Sequence, residues 1–231
     1  MSTATPEAKP AVIPPLDNGD VLTREEFERR YDAMPELKKA ELLEGEVFMG
    51  SPVRQREHSL PHTQLSCWLG TYAAFTPGVE PGDNGSVRLD DDNEPQPDLL
   101  LMIRPENGGR ARIDEEGYIE GAPELVAEVA ASSASRDANR KLRIYRNHGV
   151  LEYILWRVLD EKLDWLILRE GRYEELAATA DGVLRSEVFP GLWLDRGALL
   201  RGEMPRVLAV LQEGIATPEH AAFVGRLNPP R

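Results

Sequence analysis

One cysteine, Cys67, stands in 231 residues. That excludes an intrachain disulfide and any zinc site built on several thiolates. Basic charge is also scarce: 27 Lys and Arg against 40 Asp and Glu leave a net charge of −13. A protein that binds nucleic acid nonspecifically carries a basic excess, because phosphate neutralisation supplies most of its affinity. The global balance argues against that class, although clustered acids can be metal ligands and a basic patch can be local. No apolar run approaches the roughly 20 residues that span a bilayer. The opening MSTATPEAKPAVIPPLDNGD lacks a basic start followed by an apolar stretch, so no secretory signal is expected. No Gly-rich phosphate loop follows a strand, and Ser132-Ser133 lacks the glycine-flanked elbow of a serine hydrolase. The expectation is a cytoplasmic protein with no membrane partner and no nucleotide cofactor.

What is present is the 41% hydrophobic and 29% charged content of a globular domain. Residues 1–20 are rich in Pro, Ala and small polar residues and read as a disordered arm. One domain is expected over 21–213, with 214–231 as a tail. Thr23-Arg24-Glu25-Glu26 has capping-box spacing, which predicts a helix over about 23–33. KAELLEGEVFMGSP reads as a strand with an irregularity at Gly45, and Leu60, Leu65, Trp68, Leu69 and Tyr72 predict a helix over about 57–75. TPGVEPGDNGS reads as turns, then SVRLDDD and QPDLLLMI as strands, the second apolar on both faces and so central. A strand over 124–130 precedes a helix that stops at Gly149, and three further strands form a meander with turns at Asp160-Glu161 and Glu170-Gly171. The sum is an α/β fold with a mixed β-sheet flanked by helices.

Two carboxylates sit oddly in this pattern. In PQPDLLLM, Pro97 cannot donate to a sheet ladder and so starts a strand, leaving Asp98 at its mouth. In PELVAEVAASS, Glu128 lies inside an apolar strand. Strand alternation puts Asp98 on the face of Leu100 and Met102, and Glu128 on the face of Glu124, Val126 and Ala130. If the strands are neighbours in register, two anions meet on a buried face, where they repel unless one protonates. A divalent cation removes the conflict, and hard oxygen donors suit Mg2+ or Mn2+. On the following helix Asp137, Lys141 and Tyr145 share one face and Arg136, Arg140 and Arg143 another. A lysine beside a metal-bound water and a phosphodiester can orient the nucleophile, and the arginines could hold neighbouring phosphates.

AELLEGEVFMGSP, EPQPDLLLMI, GAPELVAEVAASSASRDANRKLRIYRNHGVLEYI and SEVFPGLWLD together resemble the Uma-type family within the PD-(D/E)XK, restriction-endonuclease-like superfamily. The resemblance runs over about 21–213. It implies a restriction-endonuclease-like core, a homodimer and magnesium-dependent cleavage of DNA. It implies Asp98 and Glu128 as metal ligands and a third acid from AELLEGE, Glu41 matching better than Glu46. The usual lysine two residues after the second acid is replaced by Ala130, and Lys141 is the migrated substitute. The same fold with hydrolysis lost, serving as a nucleic-acid- or protein-binding module, is the alternative.

Blander readings apply residue by residue. Asp98 could be a turn residue, Glu128 half of an ion pair with an arginine, and Lys141 a partner of Asp137 on a solvated face. His58 and His62 have the i, i+4 spacing of helical zinc ligands, but HSLPH lacks the glutamate of H-E-x-x-H and Pro61 interrupts it. His62 lining the cleft is the better reading. His148 suits the end of a helix, and His220 carries no signal.

Overall fold

The structure, a computed structural model, describes residues 12–50, 54–131 and 136–229, with the backbone alone at 136–138. The first eleven residues of the expected arm, and Ser132 to Ser135, lie outside them. Helix α1 (Arg24–Asp32) starts where the capping box predicts, with the Thr23 hydroxyl accepting from the Glu26 amide. Strands β1 (Ala40–Leu43) and β2 (Glu46–Met49) follow. After a wide turn, Gln55–Ser59, comes α2 (Leu60–Ala74), with Pro61 in its first turn where a missing amide costs nothing.

Then come β3 (Val79–Asp83), β4 (Val87–Arg88), β5 (Leu99–Ile103), β6 (Arg112–Ile113), β7 (Ile119–Glu120), β8 (Leu125–Ala130) and α3 (Arg136–Asn147). The meander is β9 (Glu152–Arg157), β10 (Lys162–Arg169) and β11 (Arg172–Glu175). The chain continues through β12 (Val183–Arg185), β13 (Trp193–Asp195), α4 (Arg196–Leu200), α5 (Met204–Ile215) and α6 (Pro218–Leu227). Among the described residues no helix is long and apolar enough to cross a membrane.

The main sheet has the order β11-β10-β9-β8-β5-β3. Within this sheet, among the described residues, β8 and β9 are the one parallel pair, and α3 is the crossover that such a pair requires. The sheet is therefore mixed and flanked by helices, as expected. One face packs Leu99, Leu101, Leu125, Ala127 and Ile154 against α2, α5 and α6. The other packs Leu100, Met102, Val126, Tyr153 and Leu155 against α3 through Tyr145. β5 and β8 are buried on both faces, which accounts for their unbroken apolar sequences.

Four details differ from the sequence reading. The described part of KAELLEGEVFMGSP is a hairpin over 40–49 rather than one irregular strand, its last two residues lying outside the described ones: Glu44 and Gly45 both take positive φ (53° and 76°), and the chain doubles back there. TPGVEPGDNGS conceals the edge strand β3. Pro81 and Gly82 disguise it, yet an edge tolerates proline, and a Cβ at Gly82 would lie 2.9 Å from Leu100 Cγ. SVRLDDD contributes only the two residues of β4, in a small sheet with β6 and β7. At the ends of the chain apolar side chains take up core positions. Leu16 is buried with Phe27, Leu42 and Val47, and α6 inserts Phe223 and Leu227 beneath the sheet. His220 is buried too, 3.0 Å from Thr76 Oγ1.

Candidate active site

β5 and β8 are antiparallel, with Leu99 opposite Ala127 and Leu100 opposite Val126. One further step of that register sets Asp98 opposite Glu128, and residues directly opposite share a face with Cβ atoms about 4.5–5.5 Å apart. The main chain secures the step, because the Val129 amide donates to Asp98 Oδ2 at 2.8 Å. Both acids are buried, at 3% and 7% exposure.

The hairpin and α3 close around them. Residues 93–98 run beside β1, where Leu42 and Glu94 exchange backbone hydrogen bonds. The Gln96 amide donates to Glu41 Oε1 at 2.7 Å, which aims Glu41 inward. Lys141 arrives from α3 and its ammonium lies 2.7 Å from Glu41 Oε1 and 3.0 Å from Glu128 Oε1. Tyr145, one helical turn on, donates to the same Glu128 oxygen at 2.9 Å. Lys39, just before β1, reaches Asp98 Oδ1 at 3.3 Å and Asn84 Oδ1 at 3.0 Å. His58 Nε2 lies 3.2 Å from Asp98 Oδ2, and its buried Nδ1 has no partner among the described residues.

Three carboxylates thus face two ammonium groups in a nearly dry place, and the proton affinities of Glu128 and Asp98 move in opposite directions. Burial, reinforced by the charges of Asp98 and Glu41 and only partly offset by Lys141, pushes the Glu128 carboxyl up to about 7. Burial would also raise Asp98, but the His58 hydrogen bond and the charges of Lys39 and Lys141 prevail and hold it well below the usual carboxylate range. Burial would lower Lys141, yet Glu128, Glu41 and Asp98 raise it, so it stays an ammonium.

Two cavities with shared lining residues lie here. The smaller, about 180 Å³, is lined by Glu41, Asp98, Glu128, Lys141 and Tyr153. The larger, about 700 Å³, is lined by Arg54, His62, Asn84 and Leu159, and it shares Lys39, His58 and Asp98 with the first. The donor chemistry fits a hard divalent cation: carboxylate oxygens from adjacent strands, with an excess of negative charge. Among the described residues no three His, Cys, Asp or Glu side chains are arranged to hold a metal unaided. Waters and substrate oxygens would have to complete the shell around Asp98 and Glu128, as they commonly do for magnesium.

Asp98, Glu128, Lys141 and Glu41 therefore converge. Glu46 does not; it points away to Arg140 at 2.8 Å, which separates it from Glu41. Arg140 and Arg143 are committed to the hairpin through Glu46 and Glu44, so they are not poised over the cleft; the Arg136 side chain lies outside the described residues. His62 does line the larger cavity, with Nε2 3.1 Å from the Asp98 carbonyl and 3.5 Å from Asp83. His58, discounted as a zinc ligand, is the histidine on the Asp98 carboxylate. Its stacking on His62 at 5.9 Å follows from the i, i+4 spacing already visible in HSLPH. Lys39 belongs to no motif in the sequence, and its one signal is the spacing of two from Glu41, which puts both on one face of an extended chain.

The family profile Uma2, described as "Putative restriction endonuclease", matches residues 24–197. No curated protein matches the chain. Among solved structures, that of "a putative nuclease belonging to DUF820" from Anabaena variabilis aligns with a TM-score of 0.53 and 14% sequence identity, covering 79% of this chain and 97% of that one. At that identity the likeness concerns the fold alone.

Proposed function

The chain belongs to the Uma2 family, and on that footing we propose that it is a metal-dependent endonuclease hydrolysing phosphodiester bonds of DNA. The observation that carries the reading is Asp98 fastened across the ladder from Glu128, with Lys141 bridging Glu128 to Glu41. Asp98 and Glu128 would hold Mg2+ or Mn2+, which when bound supplies a Lewis acid for phosphoryl oxygen and a more acidic water. Lys141 spends two of its three N–H donors on carboxylates. The third is left to orient a water in the smaller cavity. Glu41 keeps Lys141 charged and in place. The water oxygen attacks phosphorus in line, the opposite P–O bond breaks, and a phosphomonoester and an alcohol result. The proton that the water gives up is matched by the one the leaving oxygen takes up from solvent, so no carboxylate has to keep it.

Cleavage of a plasmid and of a labelled oligonucleotide in Mg2+ or Mn2+ tests this. Wild type should cut and Asp98→Ala should not; equal activity in both would overturn the reading. One observation favours the binding-module alternative: both oxygens of Asp98 are already engaged, by Lys39, His58 and the Val129 amide. Under that alternative, neither Mg2+ nor Mn2+ stabilises the protein.

A further inference from the structure

Around most of this acidic chain the cations are spent on carboxylates. Arg88 is held by Glu28 and Asp114, Arg157 by Asp164, Arg140 by Glu46 and Arg143 by Glu44. The larger cavity gathers several cations on one wall, although Lys39 and His58 there contact Asp98, and His62 contacts Asp83. Lys39, Arg54, His58 and His62 all face it. Arg54 is exposed and has no ion-pair partner among the described residues. Glu57 and Asp98 line the same cavity, so an anion there faces four basic side chains against two carboxylates.

Of the two lysines on the acid cluster, only one can reach such an anion. Lys141 is 6% exposed, and withdrawing its ammonium would strand Glu41 and Glu128 in a buried setting. Lys39 has a side chain 30% exposed, lines both cavities, and is held by one carboxylate oxygen and one neutral amide oxygen. A phosphate oxygen could replace the Asn84 contact without stranding a charge. Lysine suits this task as a flexible point charge with three donors.

We propose that Lys39 is the lysine that meets the substrate, its ammonium binding a non-bridging oxygen of the reacting phosphate, while Arg54 and His62 hold the neighbouring one. The proposal deepens the nuclease reading by naming the group that contacts the scissile phosphate, and it divides the work: Lys141 serves the water and Lys39 the phosphate. Stabilisation by Lys39 grows as negative charge builds on the phosphoryl oxygens.

Two measurements on the full chain separate this from the nuclease reading. The first is titration of a 5′-phosphorylated dithymidine into metal-free protein, with inorganic phosphate alongside. Lys39→Ala should weaken dinucleotide binding by about 10-fold or more and Lys39→Arg by no more than about 3-fold. Lys39→Arg should keep the wild-type Tm; Lys39→Ala, which leaves Asp98 to His58 and the Val129 amide, should lower it while the protein stays folded by circular dichroism at the titration temperature. The second is borohydride reductive methylation read by mass spectrometry: the dinucleotide should protect Lys39, while Lys141 stays unmodified throughout. Wild type that binds no dinucleotide, or Lys39→Ala that binds as wild type does, overturns the proposal. Wild type that binds through Lys39 yet cuts no DNA removes the nuclease reading and leaves the phosphate contact standing. Wild type that cuts while Lys39→Ala cuts equally well removes Lys39 and leaves the nuclease.

Discussion

The Val129 backbone amide donates to the carboxylate of Asp98 at 2.8 Å. Because Val129 follows Glu128, the strand that carries one acid also orients the other. The separation of the two carboxylates is thereby tied to the β5–β8 ladder rather than to flexible side chains. Lys39 and His58 then hold the same carboxylate from the cavity side, so Asp98 is fixed from two directions.

Asp98→Asn keeps an oxygen for the Val129 amide and removes the charge. Wild type should gain thermal stability with increasing Mg2+ or Mn2+, by about 2.7 kcal/mol at 100 times Kd, and lose it in EDTA. Asp98→Asn should show no metal-dependent shift in scanning fluorimetry. An equal shift in both proteins would remove Asp98 from the metal site.

Lys141→Met leaves two buried carboxylates without their cation, which should cost about 3–5 kcal/mol in urea unfolding near neutral pH. The loss should shrink in acid. Burial already pushes the Glu128 carboxyl up to about 7 in the fold, against 4.5 as its reference. Its folded state therefore holds the proton more tightly, and the stability this contributes is complete below about 4.5 and is lost as pH rises through about 7. If Lys141 lay on a solvated face, the cost would be under about 1 kcal/mol and independent of pH.

Glu94 offers a second pH test away from the cleft. Both its oxygens are buried without a donor among the described residues, and burial together with the neighbouring Glu28 carboxylate pushes it up to about 8. Its neutral form is favoured in the fold, so stability should fall as pH climbs from about 4.5 to about 8. Glu94→Gln should flatten that slope and raise Tm at about pH 8.5, while leaving it nearly unchanged at about pH 5. An unaltered slope in the variant would place the titration elsewhere.

Arg140 pairs with Glu46 and lies over the Phe48 ring at 4.6 Å. Arg140→Ala should cost about 1 kcal/mol or less and leave DNA cleavage within about 2-fold of wild type. A loss of cleavage comparable to that of Asp98→Ala would return this arginine to the phosphate-binding surface.

Much of the framework was legible along the chain, and for local reasons. Capping at Thr23, the apolar runs of β5 and β8, and the stop at Gly149 are signals within a few residues of what they specify. The hairpin turn at Glu44-Gly45 was half visible, because glycine marks a break but not its direction. β3 was invisible, because Pro81 and Gly82 are acceptable only once the strand is known to be an edge packed on Leu100.

The sequence by itself determined that two lone acids sit at or in apolar strands, and that a lysine follows one helix later. Only the tertiary structure decided their company: Lys39 comes to Asp98 across 59 residues and His58 across 40, while Glu46 turns to Arg140 and leaves Glu41 to Lys141. Periodicity sets which face of an element a side chain occupies, but which elements share that face depends on how the whole core packs. The charge of each buried group follows from that company, since a carboxylate's proton affinity depends on the ions and the water around it.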